Sequence, residues 1–213
     1  MSVQPPVIIE EGSNPPEIVT TDSFAELLFT GSASKGFEAK IVDGPTGIVA
    51  AKPLKNASIK AATEKGETLQ VGIEATKVEK STFKATGKGD LNFQARTGTF
   101  IDTKIKGTKG SDSIKFGSKT KLNGVDIVAG KGSDTVTFGG NTKSKFKGGD
   151  STIDLGKGGK DVVEFTNFKA FKKGGLTIEN FDKKDKLIIN DQKFGYNKLQ
   201  KEDFKGIEID FAD

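Results

Sequence analysis

Three glycine-rich turns carry the residues best suited to chemistry. "GTKGSDSI" (107–114), "GKGSDTV" (130–136) and "GKGGKDVV" (156–163) each bring one aspartate, Asp112, Asp134 or Asp161, to the start of an apolar strand. Carboxylates at such turns have two uses. They can help to coordinate a hard cation such as calcium, which takes about six to eight oxygen ligands. They can also accept backbone N–H groups of the turn, or pair with a stacked lysine. Each turn supplies one aspartate, and Lys109, Lys131, Lys157 and Lys160 stand close by, so a bound cation would meet ammonium groups of its own sign. Asp112, Asp134 and Asp161 are therefore read as turn caps first and as calcium ligands second.

The rest of the composition narrows the chemistry further. The chain has no cysteine and no histidine. Disulfides, thiolate metal sites, Ser-His-Asp and Cys-His catalysis are thereby excluded, together with the commonest general base and zinc ligand. A carboxylate pair for glycoside cleavage would have to use turn aspartates that already have a structural role, and with no tryptophan and only Tyr196 the surface for stacking sugars is scarce. The net charge of +4 is carried almost wholly by lysine, with Arg96 the only arginine. Specific reading of nucleic acid, which favours the planar guanidinium fork, is not expected. Lys104, Lys106, Lys109, Lys115, Lys119 and Lys121 form a basic strip read as a solvated face that discourages edge-to-edge strand addition. Lys143, Lys145 and Lys147 alternate as an outward strand face would. No apolar run reaches the length of a membrane span, and the first residues lack the basic and apolar regions of a secretory signal.

The elements that would position these residues recur. Apolar pairs appear at Val71/Ile73, Leu91/Phe93, Ile114/Phe116, Val136/Phe138, Val163/Phe165 and Leu187/Ile189, and all but the first follow an aspartate: Asp90, Asp112, Asp134, Asp161 or Asp185. Alternation within each pair is the period of a strand. The recurrence, with further short apolar pieces between glycine turns, predicts coils of a β-solenoid with Phe, Ile and Val stacked inward. An antiparallel sandwich is the alternative. The expected fold is thus all-β, a single-chain solenoid over 66–190. An extended, proline-rich acidic arm would precede it over 1–22, a β cap over 23–65, and a second cap would follow over 191–213. A helical turn is expected near Phe24 and another over Leu199–Phe204.

The same turns resemble a known family. "GKGSDTV" is similar to the G-x-G-x-D-x-apolar unit of the RTX (hemolysin-type) repeat. "GTKGSDSI" has one displaced glycine, "GKGGKDVV" has one inserted residue, and "LTIENFDKKDKLIIN" resembles the segment that often ends such arrays. The resemblance covers about residues 105–190. It implies a β-solenoid whose turn aspartates would bind calcium. The longer coil and the basic composition depart from that family.

These observations lead to an expectation of a non-enzymatic structural or assembly protein on the surface of a large particle, such as a virion decoration, knob or fibre protein. Docking would fall to Pro5, Pro6, Val7, Ile8, Ile9, Glu10, Glu11, Pro15 and Pro16. The expected partners are other structural proteins of a capsid or surface lattice, with a homo-oligomer compatible with the pattern, and no cofactor is required. The alternatives are a secreted RTX-like calcium-binding surface protein and a glycan-binding or glycan-cleaving β-helix.

Overall fold

In a computed structural model the chain is a β-solenoid of about six turns. The structure describes residues 53–146, 149–170 and 175–212, apart from the side chains of 143 and 144, and the backbone alone of 7–9, 18–20, 25–29, 38–42 and 46–50. Five short strands come first: β1 (Val7–Ile9), β2 (Ile18–Thr20), β3 (Ala25–Phe29), β4 (Glu38–Val42) and β5 (Thr46–Ala50). Next are β6 (Leu54–Lys55), β7 (Ser58–Thr63), β8 (Thr68–Glu79), β9 (Thr82–Gly87), and the long strands β10 (Asp90–Lys106) and β11 (Ser113–Val128). They are followed by β12 (Thr135–Asn141), helix α1 (Thr142–Lys145), β13 (Ser151–Asp154), β14 (Val162–Asn167) and β15 (Leu176–Phe181). The last elements are β16 (Lys186–Ile189), β17 (Gln192–Gly195), helix α2 (Tyr196–Leu199) and β18 (Ile207–Phe211).

Three ladders run along the molecule. The first joins the start of β8, β10 and β11 to β12, β14 and β16. The second stacks Leu54, Val78, Phe100, Leu122 and Phe146. The third joins β4, β7, β9, the ends of β10 and β11, then β13, β15 and β18. Every strand pairing among the described residues is parallel except the β16–β17 hairpin, which decides for the solenoid over the sandwich. β10 and β11 pass through two corners without a break and contribute to all three ladders.

Strand alternation sends one set of side chains into the core. Ile59, Phe83, Ile105, Ile127, Ile153 and Ile178 fill the third ladder's inner column, all buried. Phe116, Phe138 and Phe165 fill the first, with ring centroids 5.4 and 5.0 Å apart and rings nearly parallel. The corner between the second and third ladders is one left-handed residue on four successive coils: Asn56 (φ 50), Lys80 (φ 49), Asp102 (φ 47) and Gly124 (φ 62). Only the last is the glycine that such a corner advertises in a sequence.

Several expectations change in detail. Val71 pairs with Phe93, and Phe93 with Ile114, two residues away from the alignment suggested by the apolar pairs. A two-residue slip keeps every side chain on its own face, so alternation alone does not distinguish the registers. The later pairs, Ile114–Val136–Val163–Leu187, are in the expected register. Lys145 does not face outward: residues 142–145 form α1, and Lys145 is 1 % exposed. Lys147 lies outside the described residues. The lysines of 104–121 are exposed but spread over all three sides of the coil, so they form no single strip. The C-terminal helical turn is α2, earlier than expected, and Phe204 instead forms a bridge with Ile207. Phe24 lies outside the described residues, and Ala25 already begins β3.

Within 23–65, β4 pairs with β7 and β5 with β8, so these strands continue the ladders of the repeats. Most of 1–22 lies outside the described residues. No helix among the described residues is long and apolar enough to cross a membrane.

Candidate functional site: the aspartate column

The corner that leads into the first ladder is built from the glycine turns. On successive coils it places Asp112, Asp134, Asp161 and Asp185 one above another, 2 %, 1 %, 2 % and 3 % exposed. Each carboxylate caps the coil before it. The Asp112 N–H donates to Asp134 Oδ1 (2.8 Å), the Asp134 N–H to Asp161 Oδ1 (2.7 Å) and the Asp161 N–H to Asp185 Oδ1 (2.9 Å). At one end, Asp112 Oδ1 accepts the Leu91 N–H (2.7 Å) and Oδ2 the Thr108 N–H (2.5 Å). At the other, Asp185 Oδ2 accepts the Asp182 N–H (2.7 Å). The serine before the aspartate works in the opposite sense, capping the coil after it: the Ser133 N–H donates to Ser111 Oγ and the Lys160 N–H to Ser133 Oγ.

This geometry explains the motif. Corner N–H groups point along the solenoid axis, where neither side of the strand ladder satisfies them, and a buried donor without a partner costs about 1–3 kcal/mol. A short acidic side chain one coil away reaches them. The glycines let the coils approach closely enough: a Cβ at Gly159 (φ 110) would lie 1.5 Å from the Gly132 carbonyl oxygen, and one at Gly132 (φ 113) would lie 2.2 Å from that of Gly110.

Burial governs the electrostatics. It pushes the Asp134 carboxyl up to about 8, with Asp112 and Asp161 adding like-charge repulsion against the opposing Asp112 N–H. It pushes Asp161 up to about 7, with Asp185 and Asp182 adding to the effect, and it also raises Asp112 and Asp185. Asp134 is thus largely a neutral acid at pH 7. Its Oδ2 is buried with no hydrogen-bond partner, which suits a protonated oxygen better than a charged one.

The structure therefore brings together all three aspartates singled out in the sequence and adds Asp185. The "DKLIIN" that begins at Asp185 has the same form as the other repeats and was the available signal. Asp90 stands one residue out of line, half-buried, and accepts the Ser111 N–H instead. The column does not gather a calcium shell. Its Oδ1 atoms are aimed at N–H donors, which oppose a cation, and among the described residues no group of three or more carboxylates converges on one point. Lys109, Lys131, Lys157 and Lys160 are exposed, and the bonds that cap the column come from the backbone, with the Thr108 hydroxyl adding one to Asp112 Oδ1 (2.8 Å).

One further buried polar group escaped the sequence reading. Lys145 Nζ donates to Gly117 O (2.7 Å), Thr120 O (3.1 Å) and Thr120 Oγ1 (2.7 Å), and burial draws its ammonium down to about 8. It ties α1 to the corner of β11 one coil away. Nothing in the local sequence distinguishes it from the lysines around it. A partly open pocket of about 10 Å³ is lined by Ile59, Val71, Phe83 and Phe93 among others, with Lys84 and Lys106 also lining it, which is room for about one water molecule.

Of the residues expected to dock, Val7–Ile9 are described by their backbone alone, and they pair with Leu27–Phe29 of the same chain. Pro5, Pro6, Glu10, Glu11, Pro15 and Pro16 lie outside the described residues. No protein-family model, curated protein or solved structure matches this chain.

Proposed function

We propose that this protein is a non-enzymatic structural rod on the surface of a large assembled particle, a virion being the setting proposed, where it contacts other structural proteins through its N-terminal segment. The observation that carries this reading is the use made of its acidic cluster. The oxygens of the aspartate column cap N–H groups from one coil to the next, so the residues best suited to chemistry serve to stack the solenoid. A stack built in this way is a rigid spacer, and its repeated sides are available for contacts.

The secreted RTX-like reading rests on one observation, the unpartnered buried Oδ2 of Asp134. Thermal unfolding of the full chain in EDTA and in millimolar calcium separates the two. A ligand of the folded state stabilises it by about 2.7 kcal/mol at a hundredfold excess over its dissociation constant. The structural reading expects equal melting temperatures. A rise in calcium that is lost in Asp134→Asn would favour the RTX-like reading instead. Docking is tested by incorporation: a chain lacking residues 1–22 should no longer join the particle, and one that still joins refutes the assigned contact.

A further inference from the structure

The outward side of the third ladder divides by charge. Its strands lie in the order β4, β7, β9, β10, β11, β13, β15, β18. One outward column reads Lys60, Lys84, Lys106, Val128, Asp154, Glu179 in direct register, with Lys40 at the next register position before it. The column beside it reads Ser58, Thr82, Lys104, Asp126, Thr152, Thr177, Glu208. The four lysines of β7, β9 and β10 are exposed, as are Asp126 and Glu208, while Asp154 and Glu179 are half-buried. Apart from the register position of Glu38 on β4, the side is basic up to β10 and acidic from β11 onward.

We infer that this side binds a second copy of the chain, face to face, about a two-fold axis that runs parallel to the strands between β10 and β11. That axis maps each strand onto its mirror position in the series. β10 then faces the partner's β11, β9 its β13 and β7 its β15. Register is kept along the strand, so Lys104 meets the level of Asp126, Lys84 that of Asp154, and Lys60 that of Glu179. Each match occurs twice, as two-fold symmetry demands. Thr82 meets Thr152 and Ser58 meets Thr177, both short polar pairs that let the sheets approach. Glu38 opposite Glu208 is the one like-charged match, and it falls at the rim. The other in-plane two-fold axis, along the solenoid, would set Lys84 against Lys84, and like charges placed together across an interface are costly.

Part of the acidic half is already engaged within the chain. Asp126 Oδ1 accepts from Thr152 Oγ1 (2.9 Å), and Asp154 Oδ1 from the Gly156 N–H (2.8 Å) and Asn180 Nδ2 (2.7 Å). These bonds hold both carboxylates in place and give them less rotamer freedom to lose on association. Eight strands about 4.8 Å apart and about five residues wide present roughly 540 Å² on each copy, or roughly 1,100 Å² in all, the lower end of the range for specific interfaces. The dimer is therefore weak and sensitive to salt. This inference does not depend on the particle-surface reading.

Sedimentation equilibrium of the full chain tests it. A dimer is expected at about 200 µM protein in 50 mM salt, with about tenfold or greater weakening at 500 mM. Lys84→Glu alone and Asp154→Lys alone should each weaken self-association about tenfold or more. An equimolar mixture of the two variants should dimerise at least as well as wild type, because each then meets its complement. Within one chain Lys84 and Asp154 are three strand spacings apart, about 14 Å, so recovery on mixing reports a contact between chains. If Asp154→Lys does not fold, Lys60→Glu mixed with Glu179→Lys asks the same question. A monomer at low salt, or a dimer unchanged in Lys84→Glu, overturns the inference. So does binding of the basic half to heparin without self-association, which would assign that half to an anionic partner.

Discussion

At Asp134, burial and the like charges of Asp112, Asp161 and Asp90 raise the carboxyl to about 8 from an ordinary value of 3.8. Between those two values the folded chain holds a proton that the unfolded chain releases. The stability linked to that proton is complete below about pH 4 and is lost as pH rises toward 8. Asparagine at this position is neutral at every pH and keeps an oxygen for the Asp112 N–H. Asp134→Asn should therefore melt higher than wild type at pH 8, by about 3 °C or more, with the gap closing toward pH 4. Circular dichroism melts across that range provide the measurement. A variant that melts lower than wild type at pH 8 would show that the charged carboxylate is required. Asp161, raised to about 7 for the same reason, keeps a residual slope in the variant.

The turns are the elements that allow one coil to rest on the next. Gly158 and Gly159 are adjacent and both have positive φ, 79° and 110°, but their surroundings differ. A Cβ at Gly158 meets nothing within 4 Å, whereas one at Gly159 runs into the Gly132 carbonyl. Gly158→Ala should cost only the backbone strain, about 1–2 kcal/mol. Gly159→Ala should cost at least about 2 kcal/mol more, because the coils must separate and the Asp134–Asp161 bond lengthens with them. Urea unfolding of both variants reads the difference. Equal losses would mean that close stacking at this corner is not needed.

Over the whole molecule, each coil touches only its neighbours, so stability is a sum of coil and interface contributions. The Phe116–Phe138–Phe165 stack links three coils through fully buried rings. Phe138→Ala should destabilise by about 3–5 kcal/mol, and the effect should be local. Amide exchange should accelerate in β11, β12 and β14, on both sides of the cavity, and much less in β7, several coils away. Uniform acceleration would show that the rod unfolds as one unit.

The coil, its alternating strands and the placement of aspartates at its corners were legible in the sequence, because a solenoid repeats the same physical problem on every turn. The third, fourth and fifth alignments of apolar pairs match the structure, since the aspartate and the glycine turn mark the same point on each coil. The first two slipped by two residues because Asp90 is offset from the column and alternation has no other marker. Lys145 reads as one more surface lysine because its burial comes from α1 folding over the β11 corner. The left-handed corners at Asn56, Lys80 and Asp102 lack the glycine that would announce them. The division of charge on the third ladder is a property of register, since Lys60, Lys84 and Lys106 lie more than twenty residues apart and become neighbours only when the coils stack. Composition and period determined that this chain is a solenoid without histidine or cysteine chemistry. Only the tertiary structure decided which polar groups are buried, which carboxylates hold protons, and which charges share a side, because each of these depends on what the neighbouring coil places a few ångströms away.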